Sequence, residues 1–410
     1  MKNNFELPAP VRFIIKRIND GGHRADVVGG TVRDFLLGET PHDYDITTSA
    51  RPERIKEIFA DMHTVDTGIK HGTVTLVMDG ENYEITTYRI DGEYKDSRHP
   101  ESVEFTENLA EDLARRDFTM NAIAYNPSDG ITDRFCGEED IRGGVIRAVG
   151  EPSVRFTEDA LRILRGIRFS AVLGFEIEKN TAAAMLECKE LLRNVSAERI
   201  FVEWKKLLSG KHAFDVIENY REIIEVFLPE LKGASLPERE RFDYSEPFTR
   251  MISAFAKIEN SAAKFRAATV RLKTDSATRD VGTLVLSSRE KYNVTEDVGL
   301  KILMSELSPE VARERLKLEY ALGNISKEET LRVDNIILRK EPYRISDLDI
   351  NGSDALGMGF KGSLIGSALK ELLLAVMGST LENKRASLLS ALSEIKKKYG
   401  IKDEKPKPRI

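Results

Sequence analysis

The chain has 410 residues, more than a single hydrophobic core usually organises, so we expect two or more domains. With 41% hydrophobic residues it is too apolar to be disordered, and its longest apolar run, residues 372–377, is too short to span a bilayer. Two cysteines, Cys136 and Cys188, exclude a disulfide framework. Together with an amino end that lacks a secretory pattern, they predict a cytoplasmic protein. The net charge of −6 does not exclude a nucleic-acid partner, because phosphate binding needs only a local basic surface.

Residues 1–145 alternate short strand patterns with short helical ones. An apolar helical period over residues 11–18 precedes ADVVGG, which predicts a strand ending in two glycines, and TVRDFLLG then predicts a helix closed by Gly38. DYDITTS predicts a second strand, Pro52 opens an amphipathic helix, and GTVTLVMDG and NYEITTYR predict strands joined by a hairpin turn at DGEN. This mixture predicts an α+β domain over residues 1–150 with a small mixed or antiparallel sheet.

From residue 151 onward the sequence shows helical periods and almost no alternation. ALRILRGIRF, AAAMLECKELL and ERIFVEWKKLL are typical segments, and loops are predicted near residues 233–247 and 341–362. A cluster of basic residues near the carboxyl end offers a surface for phosphates, although a solvated terminus has the same composition. We therefore expect the remainder of the chain to be helical.

The strongest local signal is the pair Asp43 and Asp45 at the start of a predicted strand. Alternate residues of a strand share a face, and two carboxylates that close together repel each other unless a cation lies between them. Mg²⁺ takes such pairs and leaves its remaining positions to water and phosphate oxygens. An acidic pair on an exposed strand face is a common alternative, so this pattern alone does not decide.

Gly29 and Gly30 end the preceding strand and open a helix, where free backbone N–H groups suit an anion, and Arg33 follows in the first turn. A plain tight turn would have the same glycines. An anion site close to a carboxylate pair nevertheless suggests a metal–triphosphate site. Phosphoryl transfer with two metal ions also needs a group near the attacking hydroxyl, and Glu84 in NYEITTYR is the candidate, with a solvated surface side chain as the alternative.

These motifs resemble those of a known family. GGTVRDFLLG and HDYDITTS are similar to the signature of the polymerase-β nucleotidyltransferase superfamily, in its branch of class II tRNA nucleotidyltransferases and bacterial poly(A) polymerases. The resemblance continues in family order through TGIKHGTVTLV, RRDFTMNAIAYN, DRFCGEEDIRGG, EDALRILRGIRF, SAERIFVEWKKLL and INGSDALGMGFKGSLIGSALKELL, and so covers nearly the whole chain.

The resemblance implies an architecture and roles for individual residues. It divides the chain into a nucleotidyltransferase head (1–150), a nucleotide-recognition neck (151–215), a body (216–335) and an RNA-binding tail (336–410), the last three helical. It makes Asp43 and Asp45 the Mg²⁺ ligands and brings Gly30 and Arg33 to the triphosphate. Arg116 and Asn121 would also handle the triphosphate, while Asp117 would meet the ribose hydroxyls. The polar segment 89–105 matches a flexible loop of the family.

Glu158, Asp159 and Arg162 in EDALR carry the information on the base. If one helix spans them, spacings of three and four residues put them on one face. Arginine donates and a carboxylate accepts, which complements cytosine and adenine, whereas uracil and guanine present the reverse order. Such a pair would therefore accept C and A, although a routine surface ion pair has the same pattern. Arg165 and Arg168 continue this basic stripe towards the triphosphate or the primer end.

The predicted activity is template-independent addition or repair of the 3′-terminal CCA of tRNA from CTP and ATP with Mg²⁺, releasing pyrophosphate. The 3′-oxygen of the primer attacks the α-phosphate in line, and the predicted partners are tRNA and the two nucleotides, with no membrane and no protein partner evident. The nearest alternatives are an A-adding or CC-adding enzyme or a poly(A) polymerase on the same scaffold, followed by a non-catalytic RNA-binding protein.

Overall fold

The structure, a computed structural model, describes residues 5–92 and 103–401. Most of the segment 89–105, and the basic residues of the terminus beyond 401, lie outside the described residues. The chain forms two compact units, Met1–Pro229 and Glu230–Ile410. Among the described residues, none of the helices combines the length and apolarity needed to cross a membrane. The finer predicted boundaries at residues 150, 215 and 335 stay predictions.

The strands lie almost entirely in the first third of the chain. They are β1 (Ala25–Val28), β2 (Ile46–Thr48), β3 (His63–Gly68), β4 (Thr73–Met78), β5 (Glu81–Thr87), β6 (Arg89–Asp91), β7 (Val103–Phe105), β8 (Ile123–Asn126), β9 (Gly130–Asp133), β10 (Val145–Ile146) and β11 (Glu176–Ile177). Seven of them form one sheet in the order β3-β4-β5-β2-β1-β8-β9, and within it only β2 and β5 are parallel neighbours. The prediction of a mixed sheet is confirmed.

The first unit contains helices that alternate with these strands and others that follow them in the chain. They are α1 (Ala9–Asp20), α2 (Gly30–Leu36), α3 (Pro52–Ile58), α4 (Leu109–Ala114), α5 (Gly137–Gly143), α6 (Pro152–Glu158), α7 (Leu161–Leu173), α8 (Lys179–Cys188), α9 (Ala197–Leu208), α10 (Ala213–Asn219) and α11 (Arg221–Phe227). Short 3-10 helices occupy Ile69–His71, Thr119–Asn121 and Lys189–Asn194. Apolar side chains of β1, α4 and β8, including Val28, Leu113 and Ala124, form a buried core cluster.

The described residues of the second unit form helices joined by loops, with no strand among them. It contains α12 (Arg239–Asp243), α13 (Pro247–Phe255), α14 (Ser261–Arg271), α15 (Ser276–Lys291), α16 (Asp297–Glu306), α17 (Pro309–Ala321), α18 (Arg332–Leu338), α19 (Gly352–Gly357), α20 (Ser363–Met377) and α21 (Arg385–Lys398). Residues from α19, α20, α21 and the loops beside them, among them Phe360, Leu372 and Leu392, pack into a core of their own. Short helices therefore interrupt both segments that we expected to be loops, 233–247 and 341–362, and this expectation is wrong in part.

Local chemistry explains the elements that frame the site. The hairpin between β4 and β5 turns at Asp79 and Gly80, which both have positive φ (55° and 84°), as the DG sequence predicts. The end of β1 is fixed by Gly29, whose φ of 70° begins α2 at a sharp angle. The loop after β1 and the segment that precedes β2 consequently lie next to each other.

Candidate active site

The three predicted carboxylates line one cavity beside the neighbouring strands β2 and β5. Asp43 and Asp45 precede β2, and Ile46 pairs in parallel with Ile85 of β5, so that Asp45 and Glu84 stand at equivalent positions of neighbouring strands. All three side chains are exposed, and they line one cavity of 720 Å³. The structure thus brings together the residues that we predicted as catalytic.

The aspartates lie before the strand rather than in it, which corrects the predicted start of β2. The hydroxyl of Thr31 in α2 holds the segment by donating to the backbone O of Asp43 at 3.0 Å, and it lies 3.4 Å from the backbone N of Asp45. The backbone N–H of Val28 donates to the O of Asp45 at 3.1 Å. Thr31 was not singled out from the sequence, although its place after the glycine pair is a usable signal.

The electrostatics of the aspartate pair suit a cation. Among the described residues, neither Asp43 nor Asp45 has an ion pair or a side-chain hydrogen bond to a protein donor, so their oxygens are available to a ligand. Although Asp45 is accessible to solvent, the protein packed around it removes part of its hydration and so raises its pKa, and the nearby charge of Asp43 raises it further, against the opposing effect of Arg116. The described residues contain no group of three or more His, Cys, Asp or Glu side chains close enough to hold a metal ion together. The protein therefore offers Asp43 and Asp45 as metal ligands, and Glu84 is too far from this pair to be a third ligand of the same ion.

A second cavity of 480 Å³ adjoins the first, because Asp45 lines both. It is lined by the predicted residues Gly29, Gly30, Arg33, Arg116, Asp117, Asn121, Asp159, Arg162, Arg165 and Arg168, and also by Arg115, Leu161, Phe169, Arg199 and Lys206, which sequence reasoning did not assign to it. Eight of the lining side chains are basic and three are acidic. The chain is acidic overall, but this cavity is the local basic surface that a polyphosphate needs.

Gly29 lets an arginine pass close to the backbone. A Cβ at Gly29 would lie 3.0 Å from Nη1 of Arg116, and the φ of 70° is one that other residues rarely adopt. Arg116 is held by Asp112, a fully buried carboxylate that accepts from Arg116 Nη2 at 3.2 Å and from Arg115 Nε and Nη2 at 2.9 and 2.7 Å. Asp112 was missed because nothing in its sequence neighbourhood indicates burial.

A chain of hydrogen bonds joins the head to α7. Arg33 Nη1 donates to Asn121 Oδ1 at 2.9 Å, and Asn121 Nδ2 donates to Asp117 Oδ1 at 3.1 Å. Asp117 Oδ2 accepts from Arg165 Nε at 2.7 Å. Burial alone would raise the pKa of Asp117, but the charge of Arg165 and the hydrogen bonds from Asn121 and Arg165 hold that pKa well below its usual value. Asp117 is therefore an ionised, buried link between the two elements.

The predicted single helix over EDALR is interrupted. α6 ends at Glu158, Asp159 is extended with φ −139° and ψ 101°, and α7 begins at Leu161. Glu158 Oε2 still accepts from Arg162 Nη1 at 2.7 Å, as the four-residue spacing predicts, but Asp159 Oδ2 instead accepts from Arg199 Nη2 at 2.7 Å. The expectation that Asp159 and Arg162 share a helix face is wrong, yet both side chains line the cavity.

Several hydrogen bonds fix the guanidinium group of Arg162, and some of its N–H donors remain available. Besides the ion pair with Glu158, its Nη1 donates to the backbone O of Arg155 at 3.2 Å and its Nη2 to that of Arg115 at 2.8 Å. A guanidinium has five N–H donors, so two are left for a ligand. Glu158 does not line the cavity itself and acts here as the support of Arg162.

The comparisons with known proteins give a consistent result. The family model described as "Poly A polymerase head domain" matches residues 25–147, and the one described as "Probable RNA and SrmB- binding site of polymerase A" matches residues 174–234. The chain is 37% identical to a CCA-adding enzyme of Enterococcus faecalis over 98% of both chains. It is 35% identical to a CCA-adding enzyme of Leuconostoc mesenteroides over 94% of this chain and 95% of the other. The crystal structure of the Bacillus stearothermophilus CCA-adding enzyme in complex with CTP is similar with a TM-score of 0.74 and 29% identity, over 96% of this chain and 99% of that one.

Proposed function

This chain belongs to the family of CCA-adding enzymes, and from that premise we propose that it adds or repairs the 3′-terminal CCA of tRNA using CTP and ATP, releasing pyrophosphate. The observation that carries the proposal is the pair of adjoining cavities. One holds the exposed carboxylates Asp43, Asp45 and Glu84, the other holds the basic and base-reading side chains, and Asp45 lines both.

The carboxylate cavity fits Mg²⁺. Two exposed carboxylates without protein partners, with the pKa of Asp45 raised by burial and by Asp43, are a donor set that a divalent cation would complete. When bound there, Mg²⁺ would neutralise triphosphate charge and favour ionisation of the primer 3′-hydroxyl. Asp43 and Asp45 would hold it, with the remaining positions filled by water and phosphate oxygens. Glu84, on the neighbouring strand, would lie beside the attacking hydroxyl.

The basic cavity would take the nucleotide. Gly30, Arg33 and Arg116 would contact the triphosphate, together with Arg165 and Arg168. Four protein donors, two of them on Arg165, already reach Asp117, so a ribose hydroxyl would share its Oδ2 with Arg165. This arrangement would favour ribonucleotides over deoxyribonucleotides.

Base choice would rest on Asp159 and Arg162. Asp159 accepts from the backbone N–H of Leu161 at 3.0 Å and from Arg199, and each oxygen keeps acceptor capacity for an exocyclic amino group. Arg162 would donate its free N–H groups to the ring nitrogen beside that amino group. Cytosine and adenine both satisfy this pair, whereas uracil or guanine would leave buried polar groups unpaired, which discriminates strongly.

The remaining parts of the proposal concern place and partner. Residues 151–215 would serve as the nucleotide-recognition neck, 216–335 as the body and 336–410 as the tail that binds RNA, by shape and phosphate contacts as duplex RNA requires. A cytoplasmic location is supported by the free thiols of Cys136 and Cys188.

The test is nucleotide incorporation into tRNAs that lack the last one, two or three nucleotides, each offered one nucleotide at a time with Mg²⁺. We expect C onto the two shorter substrates, A only onto the tRNA that lacks its last nucleotide, and little U or G. Growth of a long A tail would instead identify a poly(A) polymerase. Addition of C alone or A alone would identify a partial enzyme, and binding of tRNA without any incorporation a non-catalytic protein.

A further inference from the structure

Three guanidinium groups of the basic cavity surround a single aromatic ring. The Cζ atoms of Arg33, Arg165 and Arg168 lie 5.1, 5.5 and 3.6 Å from the ring centroid of Phe169. The ring is only 4% exposed, and it meets Phe118 edge-on at 6.0 Å between centroids with an interplanar angle of 87°. Phe169 lines the cavity with these arginines but was not singled out from the sequence.

Three cations this close together repel one another, and the effect is clearest at Arg168, whereas the charge of Asp117 raises the pKa of Arg165. Each arginine has one carboxylate partner: Asp34 for Arg33, Asp117 for Arg165 and Glu203 for Arg168. Burial lowers the pKa of Arg168 to about 10, and the charges of Arg165 and Arg33 oppose its ionisation as well. The negative face of an aromatic ring attracts guanidinium groups without neutralising them, so it keeps their full charge available to a ligand.

We propose that Phe169 is a positioning residue for the triphosphate, whose ring holds Arg33 of α2 and Arg165 and Arg168 of α7 at the spacing that the phosphates need. This inference rests on the proposed function, because it takes the ligand of the basic cavity to be a nucleoside triphosphate. It goes further in assigning the pre-arrangement of the phosphate site to an apolar side chain. The two base-reading groups are held by other partners, Asp159 by Arg199 and Arg162 by Glu158.

The consequence is a specific kinetic signature. Removing the ring while keeping an apolar side chain, as in Phe169→Leu, leaves the three guanidinium groups with their carboxylate partners but removes the contact that sets their spacing, and so weakens the site for any triphosphate. We expect the Kd for inorganic tripolyphosphate and the KM values for CTP and ATP to rise together, by about tenfold, because three cation–π contacts are lost at once. The ratio of C to U incorporation stays unchanged, and kcat at saturating nucleotide changes little. Phe169→Tyr keeps the ring and restores affinity.

A residue that merely fills the core would behave differently. Phe59→Leu is the matched control, because Phe59 is also buried with one guanidinium, that of Arg17, 5.2 Å from its ring centroid, but lines neither cavity. It should lower the thermal midpoint as Phe169→Leu does, and leave tripolyphosphate binding unchanged.

The binding assay uses the full-length chain and needs no primer, so it separates this inference from the proposed function. A wild-type protein that binds tripolyphosphate but adds neither C nor A would overturn the function alone. A folded Phe169→Leu variant with wild-type tripolyphosphate affinity would overturn the role of Phe169. That role would also be overturned if Phe169→Tyr were as weak as Phe169→Leu, or if CTP and ATP were affected unequally.

Discussion

Asp43 and Asp45 have no basic partner among the described residues, whereas an ordinary surface aspartate such as Asp20 forms an ion pair, in its case with Lys16. Since both site carboxylates are exposed, replacing one should leave folding intact. We expect Asp43→Asn to lower nucleotide incorporation on the order of 10²–10³-fold, the size of effect seen when one electrostatic stabiliser of a transition state is removed. Single-turnover incorporation into truncated tRNA measures it, with thermal unfolding run alongside.

Asp20→Asn is the control for this change, since it also removes one exposed carboxylate but lines neither cavity. It should retain wild-type incorporation. If Asp43→Asn also kept full activity, the aspartate pair would not be the metal site, and the assignment of the carboxylate cavity would fail with it.

Comparing substitutions at Gly29 and Gly38 distinguishes the effect of backbone strain from that of a steric contact. Gly29 and Gly38 both have positive φ, 70° and 77°, but a Cβ would reach Arg116 Nη1 only at Gly29, while at Gly38 it would meet nothing within 4 Å. Both Gly→Ala variants should therefore lose stability, by about 1–3 kcal/mol for a backbone conformation that alanine rarely adopts. Only Gly29→Ala should also displace Arg116 and raise the KM for CTP and ATP. Equal KM values in the two variants would show that Arg116 does not contact the nucleotide.

At the scale of elements, the head is joined to α7 by the buried carboxylate of Asp117. The folded pKa of Asp117 lies below the ordinary aspartate value of about 3.9. Its ionised form therefore contributes stability that is complete above that value and is lost as the pH falls below it. Asp117→Asn should destabilise the protein at pH 7 by roughly 3 kcal/mol, the cost of breaking a buried ion pair. The deficit should shrink as the pH falls from about 5 to 3.

Trp204, the one tryptophan of the chain, is buried in Met1–Pro229 and reports urea unfolding of that unit by fluorescence. Asp129→Asn is the control, because Asp129 is 58% exposed in its ion pair with Arg24 and such pairs contribute little. Wild-type and Asp117→Asn curves that stay parallel from pH 7 to 3 would contradict the role of Asp117 as an ionised link.

The helices, strands and turns differ in how well the sequence predicts them. Contacts between residues close in sequence were predictable: the turn at Asp79 and Gly80 follows from turn chemistry, and the pairing of Glu158 with Arg162 follows from helical spacing. The strand β3 and the pair β8 and β9 were not identified, because their short polar and apolar runs have no clear alternation and form through pairing with distant strands.

The site was predictable to a similar extent. Motif residues such as Asp45 and Arg165 were identified by type and spacing, and the structure gathers them at the two cavities. The residues that hold these side chains in place were not identified. Arg199 contacts Asp159 from 40 positions further along the chain, and Asp112 can bind both Arg115 and Arg116 because it is buried beside them. The break between α6 and α7 was missed because EDALR has good helical propensity, which tertiary packing overrides here.

For the whole molecule, the distribution of charge matters more than its sum. The net charge is −6, yet the basic cavity has eight basic lining side chains, and a second basic group occupies the last turn of α21, with Lys396, Lys397 and Lys398. Two of these lysines are exposed and in ion pairs, Lys397 with Glu394 and Lys398 with Glu371. Breaking an exposed ion pair of this kind costs little free energy, so these lysines could pair with phosphates instead, and we expect α21 to contribute to RNA binding.

Replacing Lys397 and Lys398 together by Gln should therefore raise the KM for tRNA several-fold while leaving the KM for CTP unchanged, because the basic cavity, the proposed nucleotide site, lies within residues 1–229. The dependence of log K for tRNA binding on log salt should become shallower by about 1 to 2, since each phosphate contact contributes roughly 0.7–0.9. Lys16→Gln with Lys56→Gln is the matched control, as both lysines are exposed and paired with an aspartate but belong to α1 and α3. The same loss of tRNA affinity in the control would mean that total charge, rather than α21, attracts the RNA. An unchanged salt dependence in the α21 variant would remove this helix from the interface.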